Sequence, residues 1–422
     1  MKIERPRGTR DFTPEEMQKR NFIRNKIEEV YRKFNYTEIA VPTFEHIELF
    51  DLKSGNDIRE SMYVFRDKGD RELCLRPEAT ASVCRMFAND MRTAQKPLKF
   101  YYYAPMFRYE RPQKGRYREF WQSGIELIGS KSCESDAEVI TAAYTALKNL
   151  NLEFELEIGH LGVLRGLLNN LCISGEKQDE LLNAVDKRDV TRLENLVEHT
   201  VIFDILELKG SKKGSKEILS KAENLLNDYP DALLALSELK EILIMLDIMG
   251  VDYVIDLGVA RGLEYYTGVV FEMRVQSLGA QCQIAGGGRY DKLIGLFDGP
   301  PTPAVGFAFG FDRVMDAIEA QNIEIPENKV DFVIAVVDHS VRKNALKIAS
   351  KLREKFIVDF DLMDRKMGKV IEYADRINAK FVIVIGPREI AENKVSIRDM
   401  KTKEQKTINI NEIEILIQHG DT

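Results

Sequence analysis

Residues 98–110, LKFYYYAPMFRYE, and 119–129, EFWQSGIELIG, read as two long strands with only a short polar segment between them. No other feature constrains the chain as much. A parallel crossover needs a dozen or more residues, so strands this close pair antiparallel. Their junction, FRYERPQKGRYREFWQ at 107–122, crowds five cations (Arg108, Arg111, Lys114, Arg116, Arg118) among aromatics and the acids Glu110 and Glu119. A solvated helix face has no need of the aromatics, and a core strand does not tolerate the charges.

Arg108 ends an apolar strand, where a guanidinium is not buried unpaired. Either it clamps a phosphate oxygen or it pairs with Glu110. The loop with Arg116 is either a solvated hairpin tip or a basic loop that touches phosphates or an RNA end. Phe120 and Trp121 open the return strand on opposite faces. One belongs in the core, and the other is able to stack on a base.

Other segments carry weaker signals. In LCLRPEATAS, Glu78, Ala79 and Thr80 follow a strand. They either start a helix, with Glu favoured by the dipole, or offer a carboxylate and a hydroxyl to a ligand ammonium. VARGLEYYTGVVFE, 259–272, sets Arg261, Glu264, Tyr265 and Tyr266 between glycines, as a hydrogen-bonding pocket does. AGGGRYD, 285–291, is a tight turn or a place where backbone approaches a ligand. GFAFGFDRV places Arg313 in the first turn of a helix, against the dipole, so a partner is expected. There is no GxxxxGK[ST] and no GxGxxG, so side-chain cations have to hold any nucleotide.

Organisation follows the same periodicities. Residues 15–34 read as a helix, with Thr13 as N-cap, Pro14 just inside and Glu16 completing a capping box. EIAVP, 38–42, reads as a short strand. Residues 164–247 are rich in Leu, Lys and Glu at helical spacing and read as a helical insertion. Strands return at 251–285 and AVGFAFG feeds a helix at 311–321. From 330, strands and helices alternate, with a helix expected to finish the chain, which predicts an α/β domain at 330–422 behind a linker, IEIPENK.

The 422 residues favour two or three domains. No apolar run approaches the ~20 residues of a membrane span, and the charged N-terminus has no signal core. A cytoplasmic protein with no membrane partner is expected. The five cysteines are scattered without CxxC, and the five histidines form no HExxH, so no protein-only metal site is expected. The net charge of −7 argues against a general polyanion binder but leaves room for local basic patches. Arginines, carboxylates, tyrosines and glycines on antiparallel strands suit a triphosphate and a small zwitterion.

In this order, RGTRDFTPEE, RPEATA, FRYERPQKGRYREFWQ, ARGLEYYTG, GGGRYD and GFAFGFDRV resemble the signatures of the class II aminoacyl-tRNA synthetases, in particular the histidyl-tRNA synthetase family. The resemblance covers nearly the whole chain. It implies an α+β catalytic domain at 1–325, an antiparallel sheet flanked by helices and interrupted by the helical insertion, with an anticodon-binding α/β domain at 330–422. It implies ATP with Mg²⁺, L-histidine and tRNA(His) as substrates and partners, and a homodimer built by roughly 12–45.

By the same resemblance, Arg108 grips the α-phosphate, where it also meets histidine, Glu110 approaches the adenine amino group, Phe120 stacks on the base, and Arg313 covers its other face. Arg116 lies in the nucleotide site and faces the acceptor end. Glu78, Thr80 and Gln122 meet the α-amino group, Glu126 and Tyr266 the two imidazole nitrogens, Ala79 belongs to the same histidine site, and Tyr265 and Tyr290 line that pocket. Arg261 is the catalytic arginine beside Arg108. Three departures stand out: Glu264 where Asp is common, Trp121 where His is common, and Asp312 where Glu is usual. Two rivals are weighed: the histidine-binding regulatory subunit of ATP phosphoribosyltransferase, which lacks the C-terminal domain, and a non-catalytic synthetase-like RNA-binding module. The run KGSKKGSKE, 209–217, is either solvated or a phosphate contact.

Overall fold

In this computed structural model the capping box starts the first helix, Pro14–Lys33. The Glu16 amide donates to Thr13 Oγ1 at 3.3 Å, and the Thr13 amide donates to Glu16 Oε2 at 2.6 Å. The structure describes residues 3–54, 56–110, 116–186, 189–197, 200–259, 265–326 and 329–413. The chain divides into two units, Met1–Ile325 and Pro326–Thr422.

The first unit contains strands β1 (Thr37–Glu38), β2 (Phe44–His46), β3 (Val64–Arg66), β4 (Glu72–Leu75), β5 (Leu98–Phe107), β6 (Glu119–Ile128), β7 (Glu155–His160), β8 (Lys209–Ser211), β9 (Val254–Asp256), β10 (Val269–Arg274), β11 (Gln283–Arg289) and β12 (Ala304–Gly310). Nine of them form one sheet in the order β1-β5-β6-β12-β11-β10-β7-β9-β8. From β5 to β7 it is antiparallel throughout, and the two long strands pair from Leu98↔Ile128 to Phe107↔Glu119. Strands β2, β4 and β3 make a separate small sheet.

Period-two alternation gives the large sheet two different faces. Tyr101, Ile125, Leu127, Phe307 and Phe309 join Ile23, Ile27 and Tyr31 of the first helix, and Val139 and Ile140 of helix Cys133–Lys148, in one buried core. The Tyr31 ring lies 5.5 Å from Tyr101 and 6.2 Å from Phe307. Burial of each such side chain contributes roughly 1.5–3 kcal/mol, which holds both helices on that side. The alternate residues of the same strands are Gln122, Gly124, Glu126, Gly306, Ala308 and Gly310, small or polar, and they leave the second face for a site.

The region 164–247 is mostly helical, ending in the long helix Pro230–Ile248. It also holds β8, which the sequence reading did not single out; three polar residues carry no periodicity, yet Lys209 pairs with Asp256 at the sheet edge. The strand expected at 38–42 is only Thr37–Glu38, paired parallel with β5. One further bond, from the Ile39 amide to the Tyr101 carbonyl at 2.9 Å, follows it. Among the described residues no helix is long and apolar enough to cross a membrane.

The second unit has β13 (Phe332–Val336), β14 (Val358–Phe360), β15 (Phe381–Ile385), β16 (Lys394–Asp399) and β17 (Gln405–Asn409) in the order β14-β13-β15-β16-β17. The first three are parallel and the last two antiparallel. Phe332 and Ile334 pack with Ala345 and Ile348 of helix Arg342–Leu352, while Val333 and Ala335 pack with Val370 and Ala374 of helix Met367–Arg376. Burial on both faces explains the unbroken apolar run VIAV. The helix expected to finish the chain lies in 414–422, outside the described residues.

Candidate active site

The second face of the large sheet opens into a cavity of about 310 Å³. Its wall includes Glu78, Thr80, Arg108, Glu110, Arg116, Phe120, Gln122, Tyr265, Tyr266, Tyr290 and Arg313. Residues scattered over more than two hundred positions thus share one wall. Ala79 is fully buried beside Tyr102 and Met106, beneath it. Arg261 and Glu264, and the loop residues Arg111 and Lys114, lie outside the described residues.

One neighbourhood of this cavity is cationic. Arg108 donates its Nε to the Pro77 carbonyl at 3.1 Å, and its guanidinium lies 5.3 Å from the Phe120 ring. It does not pair with Glu110, as one sequence reading allowed; Glu110 faces Arg116, at 3.6 Å. Arg313 Nη1 donates to the Gln283 carbonyl at 2.7 Å and Nη2 to Gln281 Oε1 at 3.3 Å, the partners its position required. Burial, then the positive charges of Arg116 and Arg108, push the Arg313 pKa down. Arg108 and Arg116 are therefore both close enough to Arg313 to repel it, and an anion among them relieves that repulsion.

The other neighbourhood is made of carboxylates and phenols. Both oxygens of Glu78 cap the helix Thr80–Met86, accepting from the Thr80 amide at 2.7 Å and the Ala81 amide at 3.0 Å. Thr80 Oγ1 donates to Glu126 Oε1 at 2.7 Å, and the Tyr290 hydroxyl donates to Glu126 Oε2. Glu126 itself is 1% exposed and sits just behind the wall. The Tyr265 ring lies 4.8 Å from Tyr266 and 5.9 Å from Tyr290. Burial, reinforced by the nearby carboxylates, raises the pKa of Tyr102, Tyr265 and Tyr290 well above the usual phenol range. These hydroxyls stay protonated donors.

The glycines explain how the site fits. The triple glycine is not a turn but lies inside β11, between β10 and β12. A Cβ on Gly287 would strike the Gly306 carbonyl, and one on Gly288 would come within 2.9 Å of the Tyr266 ring. Phe120 and Trp121 both line the cavity, and Trp121 also stacks on Tyr103 with ring centroids 4.7 Å apart.

Asp312, noted in the sequence only as a departure, proves to be a hub. It is 3% exposed and accepts from Arg10 at 2.5 Å, Arg20 at 2.6 Å and the Trp121 amide at 2.8 Å. Tyr102 and Gln283 also line the cavity unforeseen, because only pairing register brings them there. Arg289 lies beneath, held by Asp136, Asp291, Ser135 and the Ser130 carbonyl.

A family model for histidyl-tRNA synthetase matches residues 8–314. The chain belongs to the histidyl-tRNA synthetase family. A model for an anticodon-binding domain matches 331–419, so the α+β class II fold is followed by that domain. A relative named histidine--tRNA ligase, from Methanococcus aeolicus, is 45% identical, over 97% of this chain and 99% of its own. Among solved structures, the apo histidyl-tRNA synthetase of S. aureus superposes with a TM-score of 0.74 at 29% identity, covering 98% and 99% of the two chains. A Bacillus halodurans C structure titled ATP phosphoribosyltransferase regulatory subunit/histidyl-tRNA synthetase gives 0.78 at 25% identity, covering 92% and 99%. The synthetase family therefore accounts for both units of the chain, and its class uses ATP as a substrate.

Proposed function

We propose that the chain is a histidine--tRNA ligase. It joins L-histidine and ATP into histidyl-adenylate with release of pyrophosphate, then passes the histidyl group to the 3′ end of tRNA(His). The observation that carries this reading is the pairing, in one cavity, of three guanidiniums, those of Arg108, Arg116 and Arg313, with a carboxylate–phenol cluster.

The cations receive the triphosphate. Arg108 and Arg313 flank the nucleotide, with Phe120 under the base and Glu110 toward its amino group. Glu78, Thr80 and Gln122 hold the α-amino group of histidine. Glu126 and Tyr266, with Tyr265 and Tyr290 around them, meet its imidazole. A pocket that hydrogen-bonds both ring nitrogens discriminates strongly, because any other side chain leaves its buried polar groups unmatched. The carboxylate of histidine then attacks the α-phosphate in line. Arg261, by family resemblance, and Arg108 stabilise the developing charge, and positioning supplies most of the rest.

The acids on the cavity wall suit hydrogen bonding more than a metal cage: Glu78 caps a helix, Glu110 faces Arg116, and Asp312 is held by two arginines. Mg²⁺ would be held chiefly by the nucleotide's phosphates rather than by these side chains, and would there offset the charge of the triphosphate. The region 164–247 approaches the acceptor arm, 330–422 reads the anticodon, and 12–45 builds a homodimer in the cytoplasm.

The test is amino-acid-dependent ATP–pyrophosphate exchange across the twenty amino acids, without tRNA. Exchange with histidine alone, lost in Arg261→Ala, is the expected result. One rival is a histidine-binding regulatory subunit of ATP phosphoribosyltransferase, since the Bacillus halodurans structure is described by both names. Histidine binding without any exchange would turn the assignment to it.

A further inference from the structure

Directly paired residues of a sheet share a face, and one row of the cavity face runs through Tyr102, Gly124, Ala308, Gly286, Glu272 and Glu157. It starts at the cavity wall and ends on two glutamates set opposite each other across β10 and β7. Both are buried, at 7% and 3% exposure. Like charges in that arrangement repel, and buried carboxylates need partners. Arg274 lies between them: Nη2 donates to Glu272 Oε2 at 2.8 Å, while Nε lies 2.9 Å from Glu157 Oε2 as an ion pair without hydrogen-bond geometry. Lys209 of β8 takes the other Glu157 oxygen and lies 3.0 Å from Asp256.

One oxygen of Glu272 is used differently. Its Oε1 accepts from Gln283 Nε2 at 3.0 Å, and the carbonyl of Gln283 is the acceptor for Arg313 Nη1. Gln283 needs this anchor. The β10–β11 register slips between Met273 and Arg274, bringing Gln283 opposite Arg274. Ladder bonding is locally disrupted at such a bulge, so the bond from Glu272 adds a fixed point for Gln283. Glu272 is not part of the cavity wall and acts through Gln283.

We propose that Glu272 is a positioning residue for the nucleotide half of the site: it fixes Gln283, which aims Arg313, and the Arg274–Glu157–Lys209 chain braces it from the sheet edge. This rests on the ligase reading only in naming ATP as the ligand. It gives Lys209 a role inside the fold, whereas the sequence left its lysine run as solvated or phosphate-binding.

The full-length protein and its Glu272→Ala, Glu272→Gln and Gln283→Ala variants are compared by equilibrium dialysis with ATP and with histidine, alongside melting temperature. Glu272→Ala is expected to weaken ATP binding by about tenfold, the scale of a lost charge-assisted bond, with histidine affinity unchanged within about twofold. Glu272→Gln keeps an acceptor for Gln283 and restores most of the ATP affinity. Gln283→Ala, which keeps the carbonyl, reproduces the selective loss even if Glu272→Ala does not fold. ATP affinity unchanged in Gln283→Ala and Glu272→Ala, or ATP and histidine affinities falling together, overturns the proposal. A wild-type protein that binds ATP without catalysing exchange sinks the ligase assignment and leaves this comparison decisive.

Discussion

At the scale of single residues, the site works by giving one group two tasks. Glu78 closes the start of a helix with both oxygens while presenting its carboxylate to the cavity. Glu126 is held by a threonine and a tyrosine that line the same pocket. Tyr290→Phe removes one of those donors from a carboxylate that is 1% exposed. Losing a partner of a buried charged group costs about 1–3 kcal/mol. The expected outcome is a lower urea midpoint at unchanged m-value, with weaker histidine binding; unchanged stability would mean that the carboxylate is satisfied without the phenol. The sequence showed which residues are chemically unusual, such as the adjacent tyrosines and the arginines at strand and helix ends. It did not show Asp312 as a hub, because its partners at 10, 20 and 121 come from distant elements.

At the scale of elements, the fit depends on strands that lack side chains. Gly306 in β12 pairs directly with Glu126 in β6. A Cβ there would collide with Glu126 Oε2 and lie 2.6 Å from the Ile125 carbonyl. Gly306→Ala is therefore expected to destabilise by about 1–3 kcal/mol, the usual scale of overpacking, and to cut histidine-dependent exchange by more than its effect on folding. Thermal unfolding beside exchange kinetics separates the two effects. The helices and long strands were legible from periodicity, as the Thr13–Glu16 box and AVGFAFG show. Strand β8 and the bulge at Arg274 were not, because a three-residue strand has no period and register is a property of two strands at once.

At the scale of the whole molecule, the alternating pattern after residue 330 marked a separate α/β unit, and the described chain divides at Ile325. If that unit supplies much of the affinity for tRNA, deleting 327–422 weakens tRNA charging and spares adenylate formation. Equal collapse of both rates would mean that the first unit does not function without the second.

The clustered guanidiniums of Arg108, Arg116 and Arg313 carry one more consequence, for turnover. Charges held together against their own repulsion welcome any compact polyanion, and the leaving pyrophosphate is one. Added pyrophosphate alone should raise the melting temperature, by up to roughly 2.7 kcal/mol of stabilisation at a hundred times its dissociation constant. The shift should shrink as salt screens the cluster; a shift insensitive to salt, or none, would place the anion elsewhere. A catalyst that welcomes its by-product is slowed by it, so the forward rate should fall as pyrophosphate accumulates and recover when a pyrophosphatase removes it.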